Sequence, residues 1–194
     1  MFTGIVETLG KVIKIEEKNF DKDFTLSAIG MKRINIGDSV SVNGVCLTVR
    51  EIDNESFKVS AAYETLKLTN ISKIKIEDEV NLETSLTLNK PLGGHIIQGH
   101  VAKAVKIISK SNIGESIYFK FEKPEELENY IVKKGYIAID GMSLTICNED
   151  KESFEIMLIP HTLEVTIAKY YRIGTTVNIE VDILARYMEK LNVK

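Results

Sequence analysis

The sequence has little of what marks several classes of protein. Its 194 residues include no tryptophan, three prolines and two cysteines, and the net charge is -3. Cys46 and Cys147 stand in no metal-like spacing, which favours free thiols in the cytoplasm over a zinc site or a disulfide framework. A nucleic-acid-binding protein would carry a basic excess, which the net charge does not show. A membrane span would need an apolar run of ~20 residues, and no run in the sequence approaches that length. The N-terminus also lacks a signal-peptide pattern, so we expect a soluble cytoplasmic protein with no nucleic-acid or membrane partner.

What the sequence does contain is an internal duplication. Short motifs recur in the same order about 95 to 97 positions later: residues 3–6 in 98–101, 42–49 in 139–146, 62–66 in 159–163 and 80–83 in 177–180. A solenoid repeat would be far shorter, so the echoes predict two copies of one domain. We place these domains at residues 1–94 and 95–182. Two similar domains predict two similar half-sites that hold two similar molecules.

Each copy reads as a series of short strands. Segments such as 39–42, 56–60, 136–139 and 153–157 alternate apolar and polar residues, and Asn-Gly or Asp-Asn pairs separate several of them. About six strands with little helix in each copy indicate small closed antiparallel barrels, since closure removes exposed edges. We therefore predict an all-β fold with short helices near residues 64–70, 124–132 and 162–170.

The pattern changes after Asp182. Ile183, Leu184, Tyr187, Met188 and Leu191 recur at helical spacing, which predicts a C-terminal helix over 183–194. Its apolar stripe either packs on the chain's own barrel or pairs with copies of itself, and the pattern leaves both open.

Cys46 in the first copy corresponds to Ser143 in the second. One interpretation is a small residue at the start of a strand, since the two side chains are nearly isosteric. The other is chemical: a thiol is more acidic than a hydroxyl, so the two half-sites would have unequal roles. Thr48 and Thr145, and Thr65 and Thr162, add matched hydroxyls that would suit a polar heterocycle with a polyhydroxyl chain.

The three histidines are His95, His100 and His161. A lone histidine is more often a packed polar residue than a catalyst, but His100 is a candidate for proton transfer. The spacing of His95 and His100 gives no strong metal signal without further ligands. No phosphate loop, dinucleotide fingerprint, hydrolase elbow or zinc motif accompanies them.

Several long motifs together resemble the riboflavin synthase family. They are Met1–Val6, Asn43–Val49, Gly93–Val101, Lys134–Thr145, Leu158–Leu163 and Asn178–Asp182. The resemblance covers essentially the whole chain. It implies two six-stranded Greek-key barrels followed by a C-terminal oligomerisation helix that joins three chains into a homotrimer.

The resemblance also implies the chemistry: a cofactor-free, metal-free transferase reaction of riboflavin biosynthesis. Two molecules of 6,7-dimethyl-8-ribityllumazine would dismutate by transfer of a four-carbon unit into riboflavin and 5-amino-6-ribitylamino-pyrimidinedione. The site would lie between the first barrel of one chain and the second barrel of its neighbour. Association with lumazine synthase is implied as a further partnership.

Site residues follow from the matched motifs. Those matching positions that shape the chemistry are Cys46, Ser143, His100, Asp182 and Ser39. Those expected to line the first barrel's pocket, with Phe2 and Thr3 in support, are Gly4, Ile5, Val6, Cys46, Leu47, Thr48, Ser60, Ala61, Ala62, Tyr63, Glu64 and Thr65. Those expected to line the second are Gly99, His100, Val101, Lys134, Ser143, Leu144, Thr145, Ile159, Pro160, His161, Thr162, Leu163 and Glu164.

Three other functions compete with this interpretation. A non-catalytic lumazine protein would share the fold and bind one lumazine or flavin, but it tends to lose the site cysteine and the Gly-His pairs, which are intact here. A flavin-reductase barrel should bring a nicotinamide domain with a glycine-rich phosphate site, and the sequence has none. A purely structural trimer leaves the matched polar pairs unexplained.

Overall fold

The computed structural model describes residues 1–27, 30–31 and 34–192. In that part of the chain twelve strands form two closed antiparallel barrels. The first contains β1 (Thr8–Lys18), β2 (Asp21–Ser27), β3 (Ser39–Val42), β4 (Val45–Asp53), β5 (Ser56–Ala61) and β6 (Glu79–Thr84). The second contains β7 (Lys103–Ile113), β8 (Ser116–Glu122), β9 (Tyr136–Ile139), β10 (Met142–Glu149), β11 (Ser153–Leu158) and β12 (Thr176–Val181). The all-β prediction of two six-stranded barrels is confirmed.

The two barrels share one topology. Going around each barrel, the strands follow the order β1-β2-β5-β4-β3-β6 and β7-β8-β11-β10-β9-β12. Even the irregularities recur: the β1–β2 register shifts between Val12 and Lys14, and the β7–β8 register between Ile107 and Ser109. Bulges are specific features of a strand pair, so their recurrence extends the duplication from sequence to backbone geometry.

Alternation along the strands gives each barrel its own core. In β5, Phe57, Val59 and Ala61 are buried, whereas Lys58 and Ser60 between them are half-buried. Successive strand side chains point to opposite faces, so one set fills the barrel and the other covers it. The first barrel's core includes Phe57 and Leu82, and the second's includes Phe119, Phe121 and Phe154.

Short helices connect the strands near the predicted positions. These are α1 (Tyr63–Leu68), α2 (Pro160–Val165) and 3-10 turns at Asn70–Lys73, Glu125–Tyr130 and Ile167–Tyr170. The sequence predicts longer helices over 64–70 and 162–170, but each helix stops at a threonine. Thr69 and Thr166 have extended backbones, and their hydroxyls each accept a hydrogen bond that begins the following 3-10 turn.

The C-terminal helix is α3 (Ile183–Asn192), and residues 193–194 of the predicted helix lie outside the described residues. It contacts the second barrel through the 125–130 turn, where the Tyr130 hydroxyl donates to Glu189. Most of its apolar stripe faces away from the barrel: Leu184, Tyr187, Met188 and Leu191 are 60 to 82% exposed. Only Ile183 of the stripe is half-buried.

Candidate active site

Polar residues gather on the outer face of the β3–β4 hairpin. Ser39 pairs with Thr48 and Ser41 with Cys46 across the ladder, whereas the alternate residues point into the barrel core. Period-two alternation therefore places a thiol and three hydroxyls side by side outside the barrel. We call this face, defined by Ser39, Ser41, Cys46 and Thr48, the first half-site.

The β9–β10 hairpin repeats the arrangement. Tyr136 pairs with Thr145 and Ala138 with Ser143, which defines the second half-site. Cys46 and Ser143 are both half-buried, and Thr48 and Thr145 are exposed. The duplicated positions found in the sequence thus occupy equivalent surfaces of the two barrels.

The ends of β5 and β11 extend each half-site. Val49 pairs with Val59 and Ile146 with Ile156 in antiparallel ladders, so the residues after Val59 and Ile156 run alongside β4 and β10 toward the half-sites. The predicted pocket residues that follow are Ser60 to Thr65 and Ile159 to Glu164, which lead into or form α1 and α2. Ser60 is fixed by a 2.6 Å hydrogen bond from its hydroxyl to Asp23.

The hairpin turns of the two half-sites meet back to back. A Cβ on Gly44 would lie 2.7 Å from the backbone N of Gly141, and both glycines have positive φ, 77° and 81°. Buried amides from the two copies reinforce the contact: Asn81 donates to the Asp140 carbonyl and Asn178 to the Asn43 carbonyl, each over 2.8 Å. Because glycine has no Cβ, the two turns can approach each other this closely, and the two barrels make contact here.

Two short segments cross from one barrel to the other: the N-terminal segment (residues 2–5) and the linker segment (residues 97–100). Phe2 and Ile97 form an antiparallel bridge that pairs the segments with each other. The Gly4 carbonyl accepts a 2.8 Å hydrogen bond from the backbone N of Ser143, and the Gly99 carbonyl accepts one of 2.9 Å from Cys46. Ser143 in the second half-site is therefore contacted by the segment from the first copy, and Cys46 in the first half-site by the segment from the second copy.

This exchange differs from the assignment made from the motifs. The motifs assign Gly4, Ile5 and Val6 to the first barrel's pocket, but Gly4 lies on Ser143 and Val6 packs against the second core. They assign Gly99, His100 and Val101 to the second, but Gly99 lies on Cys46 and Val101 packs against the first core. An echo identifies equivalent residues but carries no information on which barrel a crossing segment contacts.

The other predicted residues occupy varied positions. His100 is exposed, and its backbone N donates to Glu180 over 2.9 Å. Asp182 accepts a 3.0 Å hydrogen bond from the backbone N of Leu184 at the start of α3. Lys134 is exposed, with its backbone in a left-handed conformation at φ 69°. His161 at the start of α2 is exposed too.

His95 is a half-site residue that the sequence reasoning left out. Its Nδ1 lies 2.7 Å from the Ser143 hydroxyl, and its ring stacks on Tyr136 with centroids 5.1 Å apart. Burial lowers the pKa of this imidazole, an effect that the nearby Asp182 carboxylate partly offsets. The signal available was its place beside His100 in the motif, and only the fold brings it to Ser143.

A cavity of about 690 Å³ lies at the seam between the barrels, and its lining contains none of the predicted site residues. It is lined in part by Asp140, Tyr170 and Tyr171. Asp140 is buried, and burial raises the pKa of its carboxyl to about 7 against hydrogen bonds from Tyr171, Asn178 and Asn70. The Tyr171 hydroxyl donates to Asp140 over 2.5 Å, so this polar network belongs to the barrel contact.

Within the described residues, no cluster of three or more histidine, cysteine or acidic side chains could hold a metal ion. The helices described there are all too short or too polar to cross a membrane.

Comparison with known proteins identifies the family. A lumazine binding domain model matches the chain twice, over residues 3–85 and 98–182. The riboflavin synthase of Schizosaccharomyces pombe is 42% identical over 98% of this chain and 93% of its own length. That of Brucella abortus is 38% identical and covers 98% of both chains.

Solved structures agree on the fold. A complex of LumP with riboflavin superposes with a TM-score of 0.84 at 22% identity, covering 93% of this chain and 99% of LumP. A LumP complex with 6,7-dimethyl-8-(1'-D-ribityl) lumazine superposes with a TM-score of 0.83 at 20% identity, over the same shares of the two chains. With two matched domains and full-length relatives well above 30% identity, the chain belongs to the riboflavin synthase family of duplicated lumazine-binding proteins.

Proposed function

We propose that the protein converts two molecules of 6,7-dimethyl-8-ribityllumazine into riboflavin and 5-amino-6-ribitylamino-pyrimidinedione by transfer of a four-carbon unit. The observation that carries the proposal is the pair of equivalent half-sites in a chain whose full-length relatives are riboflavin synthases. One lumazine at each half-site supplies a donor and an acceptor of the same chemical structure. The atoms and electrons of the two substrates equal those of the two products, so the reaction needs no external oxidant or reductant.

The protein's contribution is mainly to position the rings and to move protons. The 7-methyl group of the lumazine is acidic because its anion is delocalised into the pteridine. Holding two rings in reactive geometry removes most of the entropic cost of a bimolecular step. Fixed hydrogen-bond donors stabilise the charge as it develops.

We assign the polar groups to these tasks by half-site. Cys46, with Ser39 beside it on the same face, serves the first, and Ser143, with Asp182 close to its histidine partner, serves the second. His100 moves a proton from the end of the linker segment. The backbone and hydroxyl groups of residues 60–65 and 159–164 hold the ring and the ribityl chain.

We further propose a homotrimer in the cytoplasm, in which the first barrel of one chain faces the second barrel of its neighbour. Four apolar side chains of α3 are exposed in one chain, which supports self-association over packing on the chain's own barrel. In this arrangement residues 1–94 and 95–182 are the two lumazine-binding units and residues 183–194 the oligomerisation helix. Association with lumazine synthase, which would supply the substrate, is part of the proposal.

A non-catalytic lumazine- or flavin-binding protein is the second candidate, because LumP complexes superpose well on this fold. The presence of polar groups in both half-sites favours the enzyme, since a carrier of one ligand needs only one half-site.

The test is incubation of the purified protein with dimethylribityllumazine alone in buffer treated with chelator and free of nucleotides. The proposal expects riboflavin and the pyrimidinedione in equal amounts, followed by fluorescence and chromatography. Ligand binding without product would favour the carrier. A strict requirement for metal or nicotinamide would contradict the mechanism.

A further inference from the structure

Buried carboxylates anchor both crossing segments. Glu83, on β6 and 2% exposed, accepts hydrogen bonds through Oε1 from the backbone N and hydroxyl of Thr3, at 2.7 and 2.6 Å. Its Oε2 accepts from the backbone N of Gly4 at 2.9 Å. The Lys90 ammonium also donates to Oε1 at 3.1 Å, so four donors converge on one carboxylate, and hydrogen bonds to an ionised acceptor are stronger than neutral ones.

Glu180 is the equivalent residue on β12, where it is 5% exposed. Its Oε1 accepts from the backbone N of Gln98 at 2.7 Å, and its Oε2 accepts from the backbone N of His100 at 2.9 Å. These two bonds hold the linker segment on both sides of Gly99.

The anchors and the contacts that they support lie on different barrels. Glu83 belongs to the first barrel, yet the segment it holds places the Gly4 carbonyl on Ser143 in the second half-site. Glu180 belongs to the second barrel, yet its segment places the Gly99 carbonyl on Cys46 in the first. Cβ atoms on Gly4 and Gly99 would lie 2.5 Å from the Cβ atoms of Ser143 and Cys46, so each segment packs directly against that residue of the half-site.

We propose that Glu83 and Glu180 are positioning residues that act crosswise: Glu83 sets the second half-site and Glu180 sets the first. Losing the Glu180 carboxylate opens the cover over Cys46, in the opposite barrel, and leaves the surroundings of Ser143 in place. Losing the Glu83 carboxylate does the reverse. The proposal draws on the proposed function only for the meaning of the half-sites, because thiol alkylation measures their accessibility without turnover.

Glutamine is the informative replacement at both positions. It keeps the size of glutamate but replaces one acceptor oxygen by an NH₂ group, which would face the backbone N–H groups of the segment. Loss of a charge-assisted hydrogen bond to a buried donor should raise the open fraction of the segment about tenfold or more. Glu79→Gln is the matched control, since Glu79 also lies on β6 but pairs with Lys169 and Tyr170.

Thiol alkylation reports on each half-site separately. The first reporter is Cys46 in a Cys147→Ser background, and the second is Ser143→Cys in a Cys46→Ser, Cys147→Ser background. Rates of modification by iodoacetamide are measured on the full-length protein under native conditions, with each of Glu83→Gln, Glu180→Gln and Glu79→Gln. A thermal melt of every variant shows that the barrels are folded. If Glu180→Gln does not fold, Glu180→Asp, which keeps the charge but shortens the reach, replaces it.

The expected pattern is crossed. Glu180→Gln should accelerate alkylation of Cys46 about tenfold or more and change the second reporter less than twofold, while Glu83→Gln does the opposite and Glu79→Gln changes neither. Acceleration confined to the reporter in the mutated residue's own barrel, equal acceleration of both reporters, or no change in either would overturn the proposal. An inactive wild-type protein that shows the crossed pattern would contradict the proposed function and leave this inference standing.

Discussion

The backbone carbonyl of Gly99 accepts a 2.9 Å hydrogen bond from the backbone N–H of Cys46. The two residues belong to different copies of the duplicated domain, so the cover of the first half-site comes from the motif of the second. The same relationship joins Gly4 to Ser143 at 2.8 Å. Neither half-site is therefore the product of one copy alone, and changes in either crossing segment should act on the opposite barrel.

Phe2 should be among the residues most sensitive to substitution. It is fully buried in a small cluster with Ile97 and Ala138, against which Cys46 packs. Phe2→Ala keeps the backbone bridge to Ile97 but removes the buried ring that packs in this cluster, and a shift of about 1 Å at a reacting centre can cost ~10²-fold in rate. We expect turnover to fall at least ~10²-fold with the barrels still folded, as measured by steady-state kinetics and circular dichroism. Ile113→Ala, at an apolar side chain that is 62% exposed at the end of β7, is the control and should change little.

The difference between the two half-sites should appear in single substitutions. Cys46→Ser should lower the single-turnover rate more than lumazine affinity, since a hydroxyl fills the volume without matching the acidity of the thiol. If the groups handle protons, Cys46→Ser, Ser143→Ala and His100→Ala should each cost about 10²-fold.

Cys147→Ser is the control for these variants, because Cys147 lies on β10 outside both half-sites. Unchanged rates in all three variants would mean that apposition of the rings alone drives the reaction.

The exposed stripe of α3 should hold the oligomer together. Leu184→Glu with Met188→Glu places charges on two side chains that are 60 and 62% exposed in one chain. Light scattering should then show monomers with folded barrels that still bind ligand but have lost most activity. Arg186→Ala on the same helix is the control. A fully active monomer would refute a site between chains.

The stability of the protein should depend on pH through Asp140. The folded state raises the pKa of this carboxyl from 3.8 to about 7, so the folded protein holds the proton more tightly than the unfolded chain. Proton binding by Asp140 therefore adds to the free energy of unfolding at low pH, and this contribution is lost as the pH rises toward 7. It amounts to about 4 kcal/mol at most.

Asp140→Asn should remove this dependence, and Asn43 already occupies the equivalent position in the first copy. Urea denaturation at about pH 5 and pH 8 gives the comparison. We expect the variant to be the more stable protein at the higher pH, with a smaller difference between the two conditions. An equal loss of stability with pH in both proteins would assign the effect to another group.

Much of the molecule can be predicted because its signals are local. Period-two alternation is a property of a few consecutive residues, so it locates strands such as β3, β5, β9 and β11 and the side chains that fill the barrels. The helical spacing after Asp182 locates α3 in the same way. Duplication then doubles each local signal, which is why Cys46 and Ser143 can be matched by their place in the two motifs.

Only the tertiary structure decided which barrel each of the two crossing segments contacts. The contacts of Gly4 with Ser143 and of Gly99 with Cys46 join residues far apart in sequence. The residues around a loop glycine form no periodic pattern from which its contact partner can be predicted. The approach of His95 to Ser143 and the burial of Asp140 depend on the same packing of one barrel against the other. The sequence by itself determined two barrels with two matched polar faces, because alternation and repetition are properties of consecutive residues and of short motifs. The tertiary structure decided which crossing segment contacts which half-site, because that contact requires both barrels to be folded and their hairpin turns to be packed against each other.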